Sequence, residues 1–129
     1  MNKPVIISTS DAFSHEVLEV MEPVLVDFTA AWCAPCRQLA PVLDELAERH
    51  AGRVRVAVVN VEQAPELAQR YRVTSMPTLL AFHRGQVVSQ MVGFGGRAPV
   101  ERLFAELAEL TRLAELPDLA APAPPARAP

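Results

Sequence analysis

Two apolar segments on either side of an amphipathic helix constrain the fold of this chain more than any other feature. Residues 24–28 and 54–60 are rich in apolar side chains, as is typical of strands buried on both faces of a sheet. Between them, from Cys33 to about His50, apolar side chains recur at the i, i+3, i+4, i+7 spacing of an amphipathic helix, which Pro41 is expected to kink. This alternation of buried strand and amphipathic helix predicts an α/β sheet.

The flanking segments extend this pattern at both ends. Further strands are predicted at 5–7, 78–82 and 87–92, and further helices at about 10–21, 65–71 and 100–110. Only four residues separate the last two strands, which indicates an antiparallel hairpin. The predicted fold class is therefore α/β, with a mixed central sheet of about five strands flanked by about four helices.

The composition limits the compartments and the classes of partner that can be expected. Half of the 129 residues are apolar and 21% are charged, which is ordinary for one globular domain. No apolar run approaches the roughly 20 residues of a membrane span, and the run near the N-terminus is far shorter than a signal-peptide core of about 7 to 15 residues. We therefore expect a cytoplasmic protein without membrane contact. The net charge of −3, with acids and bases interspersed, provides no basic stripe for nucleic acid.

The composition changes abruptly near the C-terminus. Ten of the last 13 residues are Ala or Pro, and no apolar periodicity remains that a helix or strand could bury. We predict a globular domain over residues 1–115 and a disordered Ala/Pro-rich tail over 116–129. A proline-rich ligand for a partner domain is the alternative for this tail.

Cys33 and Cys36 are the only two cysteines, and two residues separate them. A structural zinc site usually needs four ligands, and the three histidines that could complete one lack a paired spacing, so no metal site is expected. A purely structural disulfide would close a loop of only a few residues and would add little stability. A reversible redox pair is the chemistry that remains.

The position of this pair supplies a mechanism. Cys33 lies where the buried strand has ended and the helix begins, so unsatisfied backbone N–H groups and the positive end of the helix dipole favour its thiolate. An exposed Cys33 is expected to attack a disulfide, and Cys36, one helical turn inward, to resolve the mixed disulfide. Pro35 fits the first helical turn, and Trp32 offers a flat aromatic contact beside the reactive sulfur.

Three separated motifs resemble those of the thioredoxin family, in the order in which that family carries them. The first is the segment 28–37 with its Cys-x-x-Cys pair, and the others are the loops 75–78 and 92–94. Pro41 matches the helix kink of the family. The resemblance extends from about residue 4 to residue 110 and covers most of the chain.

This resemblance implies a fold, an activity and a set of partners. The fold is the thioredoxin fold, and the activity is protein-disulfide reduction by dithiol–disulfide exchange. No bound cofactor is implied, because the two cysteines themselves form and lose the disulfide. The implied partners are a separate electron donor of the thioredoxin-reductase type and disulfide-containing protein substrates, and the chain is expected to be a monomer.

The resemblance also assigns substrate contacts. A cis bond at Pro77 would place the Met76 backbone opposite Cys33, where it can pair with an extended peptide; from the residues alone, an ordinary strand start is the simpler interpretation. Gly93 either ends a strand or leaves room for the substrate backbone. The apolar patch implied around the sulfur consists of Trp32, Met76, Pro77, Val92, Gly93 and Phe94.

Asp27 is the most informative polar residue, because a carboxylate in a buried strand is costly unless it is paired or protonated. It is either half of a hidden salt bridge or, as the resemblance implies, the group that moves a proton to or from Cys36. Many thioredoxins carry a lysine on the neighbouring strand near this aspartate, whereas Val58 stands there in this chain. We therefore predict that the pKa of Asp27 lies above its ordinary value.

Two further departures from the family fall beside the cysteines. Ala34 stands where glycine is most common, and Thr29 stands where a second tryptophan is frequent. Both positions belong to the surroundings of the redox pair. Ala34 and Pro35, the residues between the cysteines, are expected to tune the redox potential.

Two other functions use the same residues. A disulfide oxidase or isomerase would work at a higher potential, normally in an exported setting that this sequence does not indicate. A thioredoxin-fold binding subunit or chaperone would hold a partner on the apolar patch and keep redox activity as a secondary property. The presence of both cysteines together with Asp27 favours the reductase.

Overall fold

The computed structural model describes residues 3–116, and the predicted α/β class and order of elements are confirmed in them. In chain order the elements are β1 (Val5–Ile7), α1 (Ser10–Phe13), a π-helical segment (Ser14–Leu18) that continues α1, β2 (Val24–Thr29), α2 (Ala34–Arg49), β3 (Arg55–Asn60), α3 (Pro65–Arg70), β4 (Thr78–His83), β5 (Gln86–Val92) and α4 (Arg97–Glu115).

Local signals in the sequence set where the helices begin. The side-chain oxygen of Thr9 caps α1 by accepting a hydrogen bond from the backbone N–H of Ala12 at 3.0 Å. Cys33 is the N-cap residue of α2, and a proline occupies the first turn of that helix, where no backbone donor is lost. Pro41 lies inside α2, which continues through it to Arg49.

The five strands form one mixed sheet in the order β1-β3-β2-β4-β5. β3 runs parallel to both β1 and β2, whereas β4 is antiparallel to β2 and β5 is antiparallel to β4. β2 is the central strand, and Asp27 lies in register with Val58 on β3 and with Leu79 on β4. Because β2 and β3 are parallel, the loops that follow them emerge at the same edge of the sheet.

A separate apolar core covers each face of the sheet. The core under α2 and α4 includes Leu25 of β2 and Phe104 of α4, and the other core includes Val26 of β2 and Phe13 of α1. Side chains alternate between the faces along a strand, so Asp27 points to the same side as Leu25, toward α2 and α4. Two helices therefore shield this carboxyl from solvent.

The predicted helix boundaries differ from the structure at two places. The first helix ends at Leu18 in a π-helical turn rather than near residue 21, and α4 runs over Arg97–Glu115 rather than 100–110. α4 is longer because proline is tolerated in its first turn at Pro99 and because residues 112–115 are good helix formers, which extend the helix once its apolar face is packed. The predicted tail lies, beyond Leu116, outside the described residues.

Candidate active site

The sulfurs of Cys33 and Cys36 form a disulfide across the first turn of α2, with their Cα atoms 5.3 Å apart. As the N-cap residue, Cys33 accepts at its Sγ atom a hydrogen bond of 3.2 Å from the backbone N–H of Cys36. That N–H is one of the donors that a helix leaves without a partner at its N-terminus. The donor that caps the helix is therefore also positioned to stabilise negative charge on Cys33.

The expectation of an exposed Cys33 is wrong for this oxidised state. Cys33 is only 4% exposed, which is no more than the 3% of Cys36. Both cysteines pack with Ala30 in a small buried cluster, against which the partly buried Val61 and Met76 also pack. Bonding to Cys36 holds the Cys33 sulfur against the helix turn, where these neighbours cover it.

Asp27 is buried without a partner. It is 3% exposed, and its Oδ1 atom has no hydrogen-bond partner within the described part of the chain. Its neighbours in the sheet are the apolar Val58 and Leu79. Burial raises the pKa of Asp27 from the ordinary 3.8 to about 7, which confirms the predicted direction. The alternative of a hidden salt bridge is wrong, because no ion pair among residues 3–116 includes this carboxyl.

The loop before β4 lies against the disulfide. Its Met76–Pro77 peptide bond is cis, as predicted, and the Met76 carbonyl oxygen is 3.5 Å from the Cys33 Sγ atom. The Pro77 carbonyl accepts a hydrogen bond of 2.8 Å from the backbone N–H of Gly93, at the end of β5. Thus the loop 75–78 lies between the redox pair and the loop 92–94.

A protein-family model described as thioredoxin matches residues 4–109, which include the cysteine pair, Asp27 and the cis-proline loop. The chain belongs to the thioredoxin family. Within that family it is similar to the thioredoxin of Alicyclobacillus acidocaldarius, with 46% identity over 101 residues that cover 78% of this chain and 93% of that protein. It is also 43% identical over 107 residues to the bifunctional thioredoxin reductase/thioredoxin of Mycobacterium leprae, covering 82% of this chain and 23% of that protein.

Structural comparison agrees with the thioredoxin family. The crystal structure of a thioredoxin from Malassezia sympodialis (Mala s 13) has a TM-score of 0.77 and 26% identity, and the match covers 84% of this chain and 93% of that one. The fold, the family and the enzyme class predicted from the sequence are therefore confirmed. The protein is a thioredoxin-type protein-disulfide reductase, which acts by dithiol–disulfide exchange at Cys33 and Cys36.

The residues that the family resemblance implied as substrate contacts differ in accessibility. Trp32 and Val92 are 65% and 57% exposed, so both are available to a partner. Met76 is half-buried against the cysteines, and Pro77 is buried. A partner at the loop 75–78 can therefore contact mainly the loop backbone, together with the exposed side chains of Trp32 and Val92.

The loop after β5 contains the other two residues of the implied patch, Gly93 and Phe94. The ring of Phe94 packs against the core under α2 and α4, so it supports the loop from below. Gly93 has a φ of +82°, and a Cβ atom built on it would meet nothing within 4 Å. Its left-handed backbone, rather than crowding within the protein, therefore favours glycine at this position.

Two residues beside the redox pair were missed by the sequence analysis. Val61 packs against the cysteines, and the register of Thr29 with Asn60 could have indicated it, because the residues after two paired parallel strands meet at one edge. A guanidinium N–H of Arg37 donates a hydrogen bond of 2.8 Å to the Ala31 carbonyl and so braces the turn before Cys33. No local pattern indicates that contact.

Two negative findings apply to the described residues. Among residues 3–116, no group of three or more His, Cys, Asp or Glu side chains is placed to hold a metal ion. In the same stretch, no helix is both long enough and apolar enough to cross a membrane.

Proposed function

We propose that Cys33 is the attacking thiolate, Cys36 the resolving thiol and Asp27 the proton-transfer group of this reductase. The observation that carries the proposal is the position of the Cys33 sulfur at the N-terminus of α2, where the Cys36 N–H donates to it. A sulfur held by that donor and by the positive end of the helix dipole is the better nucleophile of the pair.

The reaction follows in two exchanges. The Cys33 thiolate bonds to one sulfur of the substrate disulfide, and the other substrate sulfur leaves as a thiolate and takes up a proton. Cys36 then gives its proton to the Asp27 carboxylate and attacks the Cys33 sulfur, which releases the first substrate sulfur. Two electrons pass to the substrate, and the protein keeps the Cys33–Cys36 disulfide.

The environment of Asp27 supports its role as the proton-transfer group. Because its pKa is raised to about 7, both the carboxylate and the carboxylic acid are populated near neutral pH. A group with a pKa near the working pH both accepts and returns a proton efficiently. The carboxyl is also free to do so, since no side chain within residues 3–116 engages its Oδ1 atom.

The substrate surface in this proposal surrounds the disulfide. An extended substrate pairs with the backbone at Met76 and Pro77, contacts Trp32 and Val92, and passes close to Gly93. Phe94 supports that surface from the core. The exposed residues Ala34 and Pro35 tune the redox potential through the first turn of α2.

The electron supply and the setting complete the proposal. A separate reductase re-reduces the disulfide, which agrees with the name of the Mycobacterium leprae relative, a bifunctional thioredoxin reductase/thioredoxin. We place the protein in the cytoplasm, because a reducing pool keeps a dithiol of this kind reduced. We further propose that it acts as a monomer, with residues 1–115 as its domain and the remainder as a tail.

Cysteine variants test the assigned roles. The Cys36→Ser protein should accumulate a mixed disulfide with insulin, because the resolving thiol is missing, whereas the Cys33→Ser protein should form none. Non-reducing electrophoresis with mass spectrometry identifies the adduct. A mixed disulfide formed at Cys36 in the Cys33→Ser protein, at the rate seen for Cys33, contradicts the assignment. Full biological activity of Cys33→Ser would instead favour a binding subunit or chaperone.

Redox titration tests the direction of electron flow. Trp32 is the only tryptophan and adjoins Cys33, so its fluorescence should report oxidation of the pair. A reductase requires a midpoint in the reducing range, below about −230 mV, whereas disulfide-forming proteins lie near −180 to −120 mV. A midpoint in that second range rejects the reductase assignment.

A further inference from the structure

Within residues 3–116, the outer edge of β5 has little of the usual protection of an exposed strand. β5 is a terminal strand of the sheet and has seven residues, Gln86–Val92, none of them charged and none proline. Its exposed apolar side chains are Val87, Val88 and Val92, which are 46%, 50% and 57% exposed. A long, uncharged edge of this kind is open to pairing with another strand.

The opposite edge of the sheet provides the contrast. β1 has three residues, and Lys3 and Pro4 directly precede it. Short edge strands, lysines and prolines are the devices by which proteins block pairing at an edge. β5 has only one feature that opposes pairing, an irregularity in its register opposite Ala81 and Phe82. From Ser89 to Val92 it pairs regularly with β4. The regular part of β5 is thus the part nearest the redox site.

A short series of backbone contacts connects this edge to the disulfide. Val92 pairs with Thr78, and the next residue, Gly93, donates its N–H to the Pro77 carbonyl at 2.8 Å. The residue before Pro77 is Met76, whose carbonyl oxygen is 3.5 Å from the Cys33 Sγ atom. A segment paired along β5 therefore runs toward the loop that contacts the Cys33 sulfur.

A cavity next to β5 accommodates one face of such a segment. It has a volume of about 210 Å³ and lies between β5 and α4. Within residues 3–116, neither Arg102 nor Glu106 at this cavity forms an ion pair or a hydrogen bond. Side chains alternate along a strand, so every second residue of an added strand would lie over this cavity. The cavity is lined by Ser89, Met91, Pro99, Arg102, Leu103 and Glu106.

We propose that the outer edge of β5, with the cavity beside α4, is a docking site for an extended segment of the disulfide-bearing partner protein. The segment is rich in β-branched residues, because such residues suit a pleated strand. It has no net charge, because β5 carries none and the two charged residues at the cavity, Arg102 and Glu106, are of opposite sign. The proposal rests on the reductase function and adds a strand-pairing site to it. A second copy of this chain fits the site less well, because its Cys33–Cys36 disulfide is buried, with the two cysteines only 4% and 3% exposed.

Peptide substrates test the site directly. Two peptides carry the same disulfide-closed loop, extended on either side by about six residues, the length of an ordinary strand. One extension alternates Thr and Val, and the other alternates Gly and Ser. The wild-type protein should show a KM about tenfold lower for the Thr/Val peptide at similar kcat, which matches a few cross-strand pairs.

Matched variants locate the effect on β5. Gln90→Lys places a charge in the regular part of the edge and should reduce the preference to less than about twofold, since edge lysines oppose pairing. Gln69→Lys makes the same chemical change on the exposed face of α3 and should keep the preference. Reduction of the Gly/Ser peptide at the wild-type rate shows that the Gln90→Lys protein is folded and active.

The outcomes separate this proposal from the function on which it rests. If the two peptides have equal KM values, whichever side of the disulfide-closed loop carries the extension, the docking site is wrong and the reductase function still stands. Failure to reduce either peptide contradicts the reductase itself. A dimer in sedimentation that Gln90→Lys abolishes assigns the edge to a second copy and also overturns the proposal.

Discussion

Two ionisable residues on neighbouring strands, Arg55 and Asp27, have opposite surroundings in this fold. Arg55, at the start of β3, donates hydrogen bonds to Glu16 at 2.6 Å and to Glu22 at 2.9 Å. Asp27, in the middle of β2, has no counter-charge among the described residues and lies in register with Val58 and Leu79. The side chain of Arg55 is 34% exposed, whereas Asp27 is buried.

The difference in surroundings matches a difference in role between Arg55 and Asp27. Arg55 connects β3 to the π-helical end of the first helix through Glu16 and to the segment after it through Glu22, and these two carboxylates neutralise it. Asp27 lies under α2, and burial with no cation beside it within residues 3–116 raises its pKa to about 7. A charge that only holds structure is paired, and a group proposed to exchange a proton is left unpaired.

The largest expected effect concerns Asp27 and the pH dependence of stability. The folded state holds its proton up to about pH 7, but the unfolded state loses it near 3.8, so stability falls as pH rises between these values. The gap corresponds to about 4 kcal/mol. Asp27→Asn removes the titration, so the difference between its free energy of unfolding and that of the wild type should change in favour of the variant by up to about this amount from pH 4 to pH 8. Urea denaturation from pH 4 to 8 measures the difference, and a constant difference across that range contradicts the raised pKa.

A cation beside Asp27 should give this carboxyl an ionic partner, as Arg55 already has. Val58→Lys places an ammonium group next to the carboxyl in the sheet register and should lower the pKa of Asp27 from about 7 by roughly 1 to 2 units. Ile6→Lys is the control, because Ile6 lies one strand further out and is 68% exposed. Carboxylate-resolved NMR titration of the three proteins measures both shifts. An unchanged Asp27 in Val58→Lys, or an equal shift in both variants, refutes the electrostatic explanation.

The smallest expected effect concerns the paired residue. Arg55→Met removes two partly exposed ion pairs and should cost about 1 kcal/mol of stability, less at high salt, because solvent screens such pairs. The fluorescence-detected redox midpoint should not change, since Arg55 lies at the far end of β3 from the redox loop. A shifted midpoint would show that the two regions are coupled.

Periodic patterns and the Cys-x-x-Cys spacing allowed much of the fold and the site to be predicted. The buried strands 24–28 and 54–60 and the amphipathic α2 follow from side-chain spacing, which directly reflects which faces are covered. The direction of the Asp27 pKa was also predicted, from the family resemblance, which puts Val58 where many thioredoxins carry a lysine.

Features that depend on contacts across the fold were not predicted. The burial of Cys33 depends on Val61 and Met76, which reach it from two other loops. The partners of Arg55 lie 33 and 39 residues away along the chain, at separations that no local pattern spans. The π-helical end of the first helix is likewise not indicated by the spacing of its apolar residues.

The sequence by itself determined the order of the elements, the reactive pair at the start of α2 and the unusual carboxyl in β2, because each depends on residue type and local spacing. Only the tertiary structure decided which groups surround them. Within residues 3–116, it covered Cys33, left Asp27 without a partner, paired Arg55 and placed β5 at the edge of the sheet. These outcomes depend on distances between segments remote in sequence, which are fixed only when strands pair and helices pack.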